Sequence, residues 1–414
     1  MKVISRYEHQ VLRIGEDGFK RAHHDALIKL NEFHGGKYFE VIHKAVRFKQ
    51  YVGVIQVDNL LIEIHPKADK HDADEQWRNV LLDMLKRCGR LKASSAGAAN
   101  VNRKNLNLLE VYFELYLSEV DKLIRQGLVK QYRRETKNVN ALKGKLEFAG
   151  HIRHNLVHKE RFYTTHQVYD KDHLIHQVLS LALDVVEQFT KGTRLSGKCG
   201  QVQFSFPEVK KIKASADLFD RIPKNRKTAP YSYALELARL IILNYSPDIS
   251  GGKEKMLSLL FDMNQLWEEF VLKELRNYIS EHKSSYEVLG QDSKSFIGSH
   301  TLRPDIVLRN EKGEQIIIDT KWKVPYNRSA SVADLRQMYA YGRYWDAEKV
   351  MLLYPGEKGQ STNFSEYDTD DYSLKGDEVN EQNHLCRLGY VSVLNDGVLS
   401  NNLGKDVFDL LEIN

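Results

Sequence analysis

Two short apolar runs separated by a turn, within residues 302–323, constrain this chain more than any other feature. Ile306–Leu308 forms the first run and Ile316–Ile318 the second, and Gly313 lies in the polar segment between them. Apolar runs of this length that flank a turn-forming segment are typical of two paired strands. The pattern therefore predicts a β-hairpin.

Charged residues stand at one end of that hairpin. Asp305 precedes the first run, and Asp319 ends the second run two residues before Lys321. Because successive side chains of a strand point to opposite faces, we expect Asp319 and Lys321 on one face and Thr320 and Trp322 on the other. Asp305, at the start of the partner strand, can reach the same face.

Two carboxylates and a lysine at one point favour metal-dependent hydrolysis of a phosphodiester. Asp305 and Asp319 are hard oxygen ligands suited to Mg²⁺, which keeps several of its waters in protein sites. The metal would polarise a phosphoryl oxygen and lower the pKa of an attacking water. Lys321 would orient that water or stabilise developing charge. The order Pro-Asp, thirteen residues, Asp-x-Lys matches the PD-(D/E)xK nuclease pattern, although a solvated hairpin with charged ends gives the same spacing.

A helix on each side of the hairpin adds candidate residues. Leu260–Leu275 has helical apolar periodicity, and either Glu268 or Glu269 could complete an acidic, metal-binding set. Neighbouring helical positions point about 100° apart, so only one of the two glutamates can face the site.

The downstream segment 334–344 is expected to be the second helix, followed by a strand at 349–354. Gln337 and Tyr341 are four residues apart and share one helix face. They are either supporting groups near the scissile phosphate or packing residues.

Several separated segments resemble the McrC family, the endonuclease subunit of two-component restriction systems that attack modified DNA. The likeness runs from about residue 50 to residue 355, and four segments carry it: Leu61–Lys67, Leu123–Tyr132 with Leu142–Leu146, Phe261–Val271, and Arg303–Asp305 with Asp319–Lys321. The resemblance implies a Mg²⁺-dependent DNA endonuclease with a C-terminal PD-(D/E)xK domain.

The same resemblance implies a partner, an McrB-like ring of AAA+ GTPase subunits that recognises modified cytosine, binds the GTP and translocates double-stranded DNA. In the family a β-rich finger enters the pore of that ring. The candidate here is Lys37–Gly53, whose Lys44, Arg47 and Lys49 would meet the partner. An exposed basic hairpin with no special role explains these residues equally well.

Composition indicates a cytoplasmic, multidomain protein. A length of 414 residues exceeds the size at which single cores stop growing. The three cysteines are scattered, which favours a reducing compartment and neither a disulfide framework nor a thiolate zinc site. No apolar run approaches the roughly 18 residues of a membrane span. We expect no membrane association.

The mild net charge of +5 matters less than its distribution. Residues 121–161 carry eleven lysines or arginines against four acids, and Arg133, Arg134, Lys143 and Lys145 are the candidate contacts to DNA phosphates. A solvated helix face is the alternative. Residues 364–383, with seven acids and one lysine, are expected to form a surface loop that faces away from DNA.

The chain is expected to be an α+β or α/β multidomain protein. A β-rich N-terminal finger domain is placed at 1–100, a mainly helical basic region at 101–245 and the nuclease domain at 246–414. The expected strands are Val11–Ile14, Tyr38–Ile42, Tyr51–Val57 and Leu60–Ile64. The expected helices are Glu75–Arg87, Asn107–Arg125, Lys171–Phe189, Tyr231–Leu243 and Leu257–Ile279.

Two other functions stay open at this level. One is a non-catalytic adaptor that stimulates an AAA+ partner and keeps the charged hairpin only as structure. The other is a nuclease that reads DNA without a partner. The modified base, the nucleotide of the partner and the oligomeric state are not fixed by the sequence.

Overall fold

A computed structural model describes most of the chain. The described residues are 2–66, 74–91, 107–215, 217–247, 255–282, 284–323, 325, 329–367 and 384–413. Of the acidic segment expected to be a loop, residues 368–383 lie outside the described residues, as do residues 248–254 at the expected start of the nuclease domain.

The described residues form a mixed set of helices and strands. The helices are α1 (Arg21–Phe33), α2 (Asp74–Arg87), α3 (Leu108–Gln126), α4 (Phe148–Asn155), α5 (Leu174–Thr190), α6 (Ser196–Ser205), α7 (Asp217–Asp220), α8 (Ser232–Leu243), α9 (Met263–Glu281), α10 (Val332–Trp345) and α11 (Leu403–Leu410). The strands are β1 (Lys2–Tyr7), β2 (Val11–Arg13), β3 (Phe39–Ile42), β4 (Ala45–Phe48), β5 (Tyr51–Val57), β6 (Leu60–His65), β7 (Gln131–Val139), β8 (Lys145–Leu146), β9 (Phe162–Asp170), β10 (Tyr245–Pro247), β11 (Lys255–Asp262), β12 (Glu287–Gly290), β13 (Lys294–Ile297), β14 (His300–Leu302), β15 (Ile306–Arg309), β16 (Gln315–Thr320), β17 (Ala347–Pro355), β18 (Ser365–Glu366), β19 (Leu385–Val391), β20 (Leu394–Asn395) and β21 (Val398–Leu399).

Two compact units divide the chain. The first combines Met1–Gly53, Asn59–Lys92 and Leu260–Asn414, and the second combines Val54–Asp58 with Ala93–Leu259. The sequence predicts three consecutive regions, 1–100, 101–245 and 246–414, and the two units do not follow this division. The N-terminal residues belong to the same unit as the C-terminal ones because packing, and not position along the chain, defines a unit.

A six-stranded sheet forms the centre of the C-terminal part of the first unit. Its order is β12-β15-β16-β17-β19-β18, with β15 and β16 antiparallel and β16, β17 and β19 parallel. Ile316, Ile317 and Ile318 are all buried, so both faces of β16 are covered. Ile317 packs in one cluster with Met338 and Trp345 of α10. The expected hairpin, the helix after it and the strand after that helix are confirmed.

The expected N-terminal strands are confirmed, and all belong to the first unit except the end of β5 from Val54, which belongs to the second. β1 pairs in parallel with β6, and β2, β4 and β3 form a separate antiparallel sheet. Helix α1, with its buried Ala26, Leu27 and Leu30, was not expected in a β-rich region. Its apolar residues recur at helical spacing, the local pattern that indicates an amphipathic helix.

The second unit is less purely helical than expected. Helices α3, α5, α6 and α8 are accompanied by a three-stranded antiparallel sheet in the order β7-β9-β8. Strands β7 and β9 pair along their whole length, from Gln131 opposite Asp170 to Val139 opposite Phe162. The apolar alternation that marks a half-buried strand is absent from β7, because polar side chains occupy both of its faces.

The prediction of a helix at Leu257–Ile279 was wrong for its first six residues. Lys255–Asp262 is a strand, and α9 starts at Met263 with Asp262 as its N-cap. The Asp262 carboxylate accepts a hydrogen bond from Asn264 N at 2.9 Å, which satisfies a free N–H of the first helical turn. A short buried apolar run does not by itself distinguish a strand from a helix.

Candidate active site

Strand pairing brings the two predicted aspartates to the same end of the sheet. Ile306 pairs with Ile318 in the antiparallel β15–β16 ladder, so Asp305 and Asp319 are the next residues on each side. Asp305 is also held from the other neighbouring strand, since its carbonyl accepts a hydrogen bond of 2.8 Å from Gln291 N. The hairpin therefore joins two acids that are fourteen positions apart in sequence.

Asp319 and Lys321 form an ion pair, as strand alternation predicted. Lys321 Nζ lies 2.6 Å from Asp319 Oδ2, and the Asp319 side chain is only 2% exposed. Burial, with the charge of Asp305, raises the pKa of Asp319 to about 6 against the opposing effect of Lys321. Trp322 points away, where its indole N–H donates to Glu8 at 2.7 Å.

Thr320 belongs to the site, although alternation assigned it to the opposite face. Its backbone N and its Oγ1 both donate to Asp305 Oδ2, at 2.7 and 2.9 Å. Asp305 precedes the first paired residue of β15, so its carboxylate reaches to the end of the neighbouring strand. Two donors on one oxygen fix the orientation of this carboxylate.

A chain of hydrogen bonds supports Lys321 from helix α10. Lys321 Nζ donates to Gln337 Oε1 at 3.2 Å, and Gln337 Nε2 donates to Tyr341 Oη at 2.8 Å. The Tyr341 hydroxyl donates in turn to the carbonyl of Arg303 at 3.0 Å. Gln337 and Tyr341 thus connect the lysine to the segment that carries Asp305, and they are not only packing residues.

Glu268 and Glu269 point to different environments. Glu269 receives two hydrogen bonds from Arg90, at 2.8 and 2.7 Å, in a forked ion pair. Glu268 Oε1 accepts a hydrogen bond of 2.7 Å from Gln291 Nε2. Burial, with the charge of Asp305, raises the pKa of Glu268 to about 7, although Gln291 and Arg303 oppose the rise. Glu268 is therefore the glutamate close to the aspartates.

Carboxylate oxygens, the ligands that hard divalent cations prefer, are present at this point. Burial and the charge of Asp305 raise the pKa of Asp319, and two close carboxylates lower their repulsion by sharing a cation or a proton. In the part of the chain that the structure describes, no group of three or more acids, histidines or cysteines is already arranged around a metal position. The expected set of Asp305, Asp319 and Glu268 is thus not preassembled, because Lys321 and Gln291 occupy two of its carboxylates.

Comparison with known proteins gives the family. A family model described as McrBC 5-methylcytosine restriction system component matches residues 46–355. The chain belongs to this family. It is similar to the type IV methyl-directed restriction enzyme EcoKMcrBC of Escherichia coli strain K12, with 21% identity over 227 residues. That match spans 52% of this chain and 64% of the relative.

Solved structures show the same fold. One is a chain of the refined half-complex from the tetradecameric assembly of Thermococcus gammatolerans McrB AAA+ hexamers with bound McrC. The likeness has a TM-score of 0.69 at 20% identity and covers 99% of both chains. A chain of the Thermococcus gammatolerans McrBC complex gives a TM-score of 0.51 at 23% identity, over 67% of this chain and 88% of that one.

The candidate DNA-contacting residues of this McrBC family member differ in how strongly their side chains are paired within the protein. Arg133 is paired within the protein: its guanidinium donates to Asp170 at 2.9 Å and lies 3.3 Å from Glu135. These hydrogen bonds and charges raise the pKa of Arg133. Arg134 and Lys143 are exposed, and Lys145 is exposed with Glu147 at 3.6 Å. The structure therefore leaves Arg134, Lys143 and Lys145 better placed than Arg133 to contact a phosphate.

The three candidate partner contacts lie on the β3–β4 hairpin or just after it. Lys44 is exposed at the turn, with a φ of 52°. Arg47 lies 3.1 Å from Glu40 across the ladder, and Lys49 donates to the Gly36 carbonyl at 2.8 Å. Arg47 and Lys49 thus have contacts within their own hairpin region, and Lys44 projects from its tip.

No helix in the described residues is long and apolar enough to cross a membrane.

Proposed function

We propose that this chain is the Mg²⁺-dependent DNA endonuclease subunit of a modified-cytosine restriction system. The observation that carries the proposal is the convergence of Asp305, Asp319 and Lys321 at one end of the β15–β16 hairpin. This is the arrangement expected of a PD-(D/E)xK site. Membership of a family described as a 5-methylcytosine restriction system component supports the substrate.

Lys321 acts as a cation in this proposal. Burial alone would lower the pKa of its ammonium, but the Asp319 carboxylate beside it raises the pKa overall. The ammonium therefore keeps its proton at neutral pH and serves as a hydrogen-bond donor and fixed positive charge. It holds the attacking water or stabilises the charge that develops on the phosphoryl oxygens. Gln337, bonded to the same Nζ, limits the positions that the ammonium can take.

The carboxylates supply the remaining chemistry. Asp305 and Asp319 would hold Mg²⁺, with Glu268 completing the acidic set. When bound, the metal lowers the pKa of a water and polarises the phosphoryl oxygen. In the metal-free protein, the raised pKa of about 7 lets Glu268 hold or accept a proton near neutral pH.

The proposed partner is a ring of AAA+ GTPase subunits that resembles McrB. The structural likeness to a chain from an assembly of McrB AAA+ hexamers with bound McrC supports this partner. The ring would bind the GTP and recognise the modified base. This chain would dock on it, with Lys44, Arg47 and Lys49 among the candidate contacts, and cut the double-stranded DNA.

The direct test is cleavage of a methylated plasmid by this protein with its GTPase partner, Mg²⁺ and GTP. Lys321→Ala and Asp319→Asn are expected to abolish cleavage and still stimulate GTP hydrolysis. Lys312→Ala is the matched control, because Lys312 is an exposed lysine in the turn at the opposite end of the same hairpin. If all four proteins cut alike, the charged hairpin is structural and the adaptor function replaces the nuclease.

A further inference from the structure

A second hairpin, here called the flanking hairpin, leaves the sheet beside the two aspartates. It consists of β13 and β14, residues Lys294–Leu302, and turns at Gly298, whose φ is 57°. Gly290, the last residue of β12, pairs with Ile306, the first of β15. The connection between these two strands therefore emerges at the end of the sheet where Asp305 lies.

The base of the flanking hairpin is fixed to helix α10. Lys294 Nζ donates to the Tyr344 carbonyl at 3.0 Å and lies 4.8 Å above the Trp345 ring. Phe296 packs edge-on against Tyr344, with ring centroids 5.2 Å apart. Asp292, just before the hairpin, accepts a hydrogen bond of 2.8 Å from the Trp345 indole. Helix α10 also carries Gln337 and Tyr341, so one helix positions both the hairpin and Lys321.

The tip is apolar and exposed. Ile297 is 67% exposed and the turn that follows it is open to solvent, whereas Phe296 packs on one side against Tyr344 and keeps 47% of its surface exposed. An exposed apolar tip is typical of a contact surface, because its burial against a partner removes apolar surface from water and so stabilises the complex.

Charge indicates which partner the tip suits. Residues 293–303 contain Lys294, His300 and Arg303, four hydroxyl side chains and no acid. The turn of the neighbouring hairpin, at the opposite end of β15 and β16, carries two acids, Glu311 and Glu314, and one lysine, Lys312. Cations and hydroxyl groups without acids complement a polyanion, and in the flanking hairpin they lie at the end of the sheet that bears the aspartates.

We propose that the flanking hairpin enters a groove of the duplex and holds it against the aspartates; this proposal rests on the proposed nuclease function. A two-stranded β-ribbon fits the major groove of B-form DNA, where apolar side chains contact the thymine methyl group. Arg303 and the hydroxyl groups contact phosphates on either side. The tip thus sets the position of the duplex relative to Asp305.

Photochemical crosslinking tests the contact independently of cleavage. Benzoylphenylalanine is placed at Ile297 in the full chain, in a Lys321→Ala background, and irradiated with a labelled methylated duplex and the GTPase partner. The matched control carries the same group at Val398, which is 60% exposed on the β20–β21 hairpin. Labelled DNA attached at position 297 and absent at position 398 supports the proposal. Absence of label at 297, equal label at both positions, or crosslinks from 297 only to the partner protein overturns it.

Cleavage separates this proposal from the proposed function. Ile297→Asp places a negative charge at the tip and is expected to slow plasmid cleavage about tenfold, equivalent to ~1.4 kcal/mol, with GTPase stimulation unchanged. Val398→Asp is expected to cut like the wild type. If Lys321→Ala is silent and Ile297→Asp cuts at the full rate, the hairpin proposal fails alone. If position 297 crosslinks to DNA and Lys321→Ala still cuts, the nuclease assignment fails alone.

Discussion

Replacing Asp319 by asparagine is expected to stabilise the metal-free protein while it abolishes cleavage. The side chain is 2% exposed, and its pKa rises from 3.8 to about 6 in the folded state. A rise of about two units corresponds to ~3 kcal/mol lost by ionising the acid in the folded protein at neutral pH. Asparagine avoids that cost. A gain of up to ~3 kcal/mol follows, because the pKa of about 6 already includes the attraction between Asp319 and Lys321.

The pH dependence of this gain has a definite sign. The folded pKa of Asp319 is raised, so the stability due to its protonation is complete below pH 3.8 and is lost as the pH rises through about 6. The advantage of Asp319→Asn should therefore be largest near pH 7 and shrink as the pH falls towards 4. Lys321 remains an ammonium over this range, because Asp319 and its other acidic neighbours outweigh its burial and raise its pKa.

Thermal unfolding in EDTA measures the effect. For a unit of this size, a gain of up to ~3 kcal/mol corresponds to an increase in Tm of up to about 10 °C. Mg²⁺ should raise the Tm of the wild type more than that of the variant, because the variant lacks one carboxylate ligand. Glu311→Gln, which removes a charge from the exposed turn of the same hairpin, is the control. A lower Tm for Asp319→Asn in EDTA, or an equal Mg²⁺ response in both proteins, would refute the reasoning.

Three further predictions concern groups around the aspartates and in the second unit. Glu268→Gln should reduce the cleavage rate by about 10²-fold or more, since it removes a carboxylate of the acidic set, whereas Glu269→Gln should cut normally; initial cleavage rates of the two variants at one Mg²⁺ concentration check this. Tyr341→Phe removes the hydrogen bond to the Arg303 carbonyl and should lower kcat about tenfold at unchanged KM, as measured by initial rates. Arg133→Ala should lower the free energy of unfolding by ~1 kcal/mol, because it removes the ion pairs of Arg133. Arg134→Ala should weaken DNA binding and leave the Tm unchanged. Calorimetry measures the first effect and a binding titration measures the second.

The sequence was most informative where spacing alone fixes geometry. Strand alternation placed Asp319 and Lys321 together, and helical spacing placed Gln337 beside Tyr341; both contacts are present. Both contacts join residues of the same strand or helix, and the periodicity of that strand or helix decides which of its side chains lie on one face.

Residue spacing did not predict the hydrogen bonds between side chains of different helices and strands. Thr320 and Gln291 contact Asp305 and Glu268, and no local pattern marks either residue. The role of Gln291 depends on β12 pairing with β15, which the chain order does not state.

The sequence by itself determined the two acids, the lysine, the hairpin that joins them and the family resemblance, because these depend on residue identity and short-range periodicity. Only the tertiary structure decided that Glu268 and not Glu269 lies near the aspartates, since Arg90, far away in sequence, pairs with Glu269. It also decided that N-terminal residues pack in one unit with the C-terminal sheet. These outcomes follow from long-range packing, which favours the arrangement that pairs charges and buries apolar surface across the whole chain.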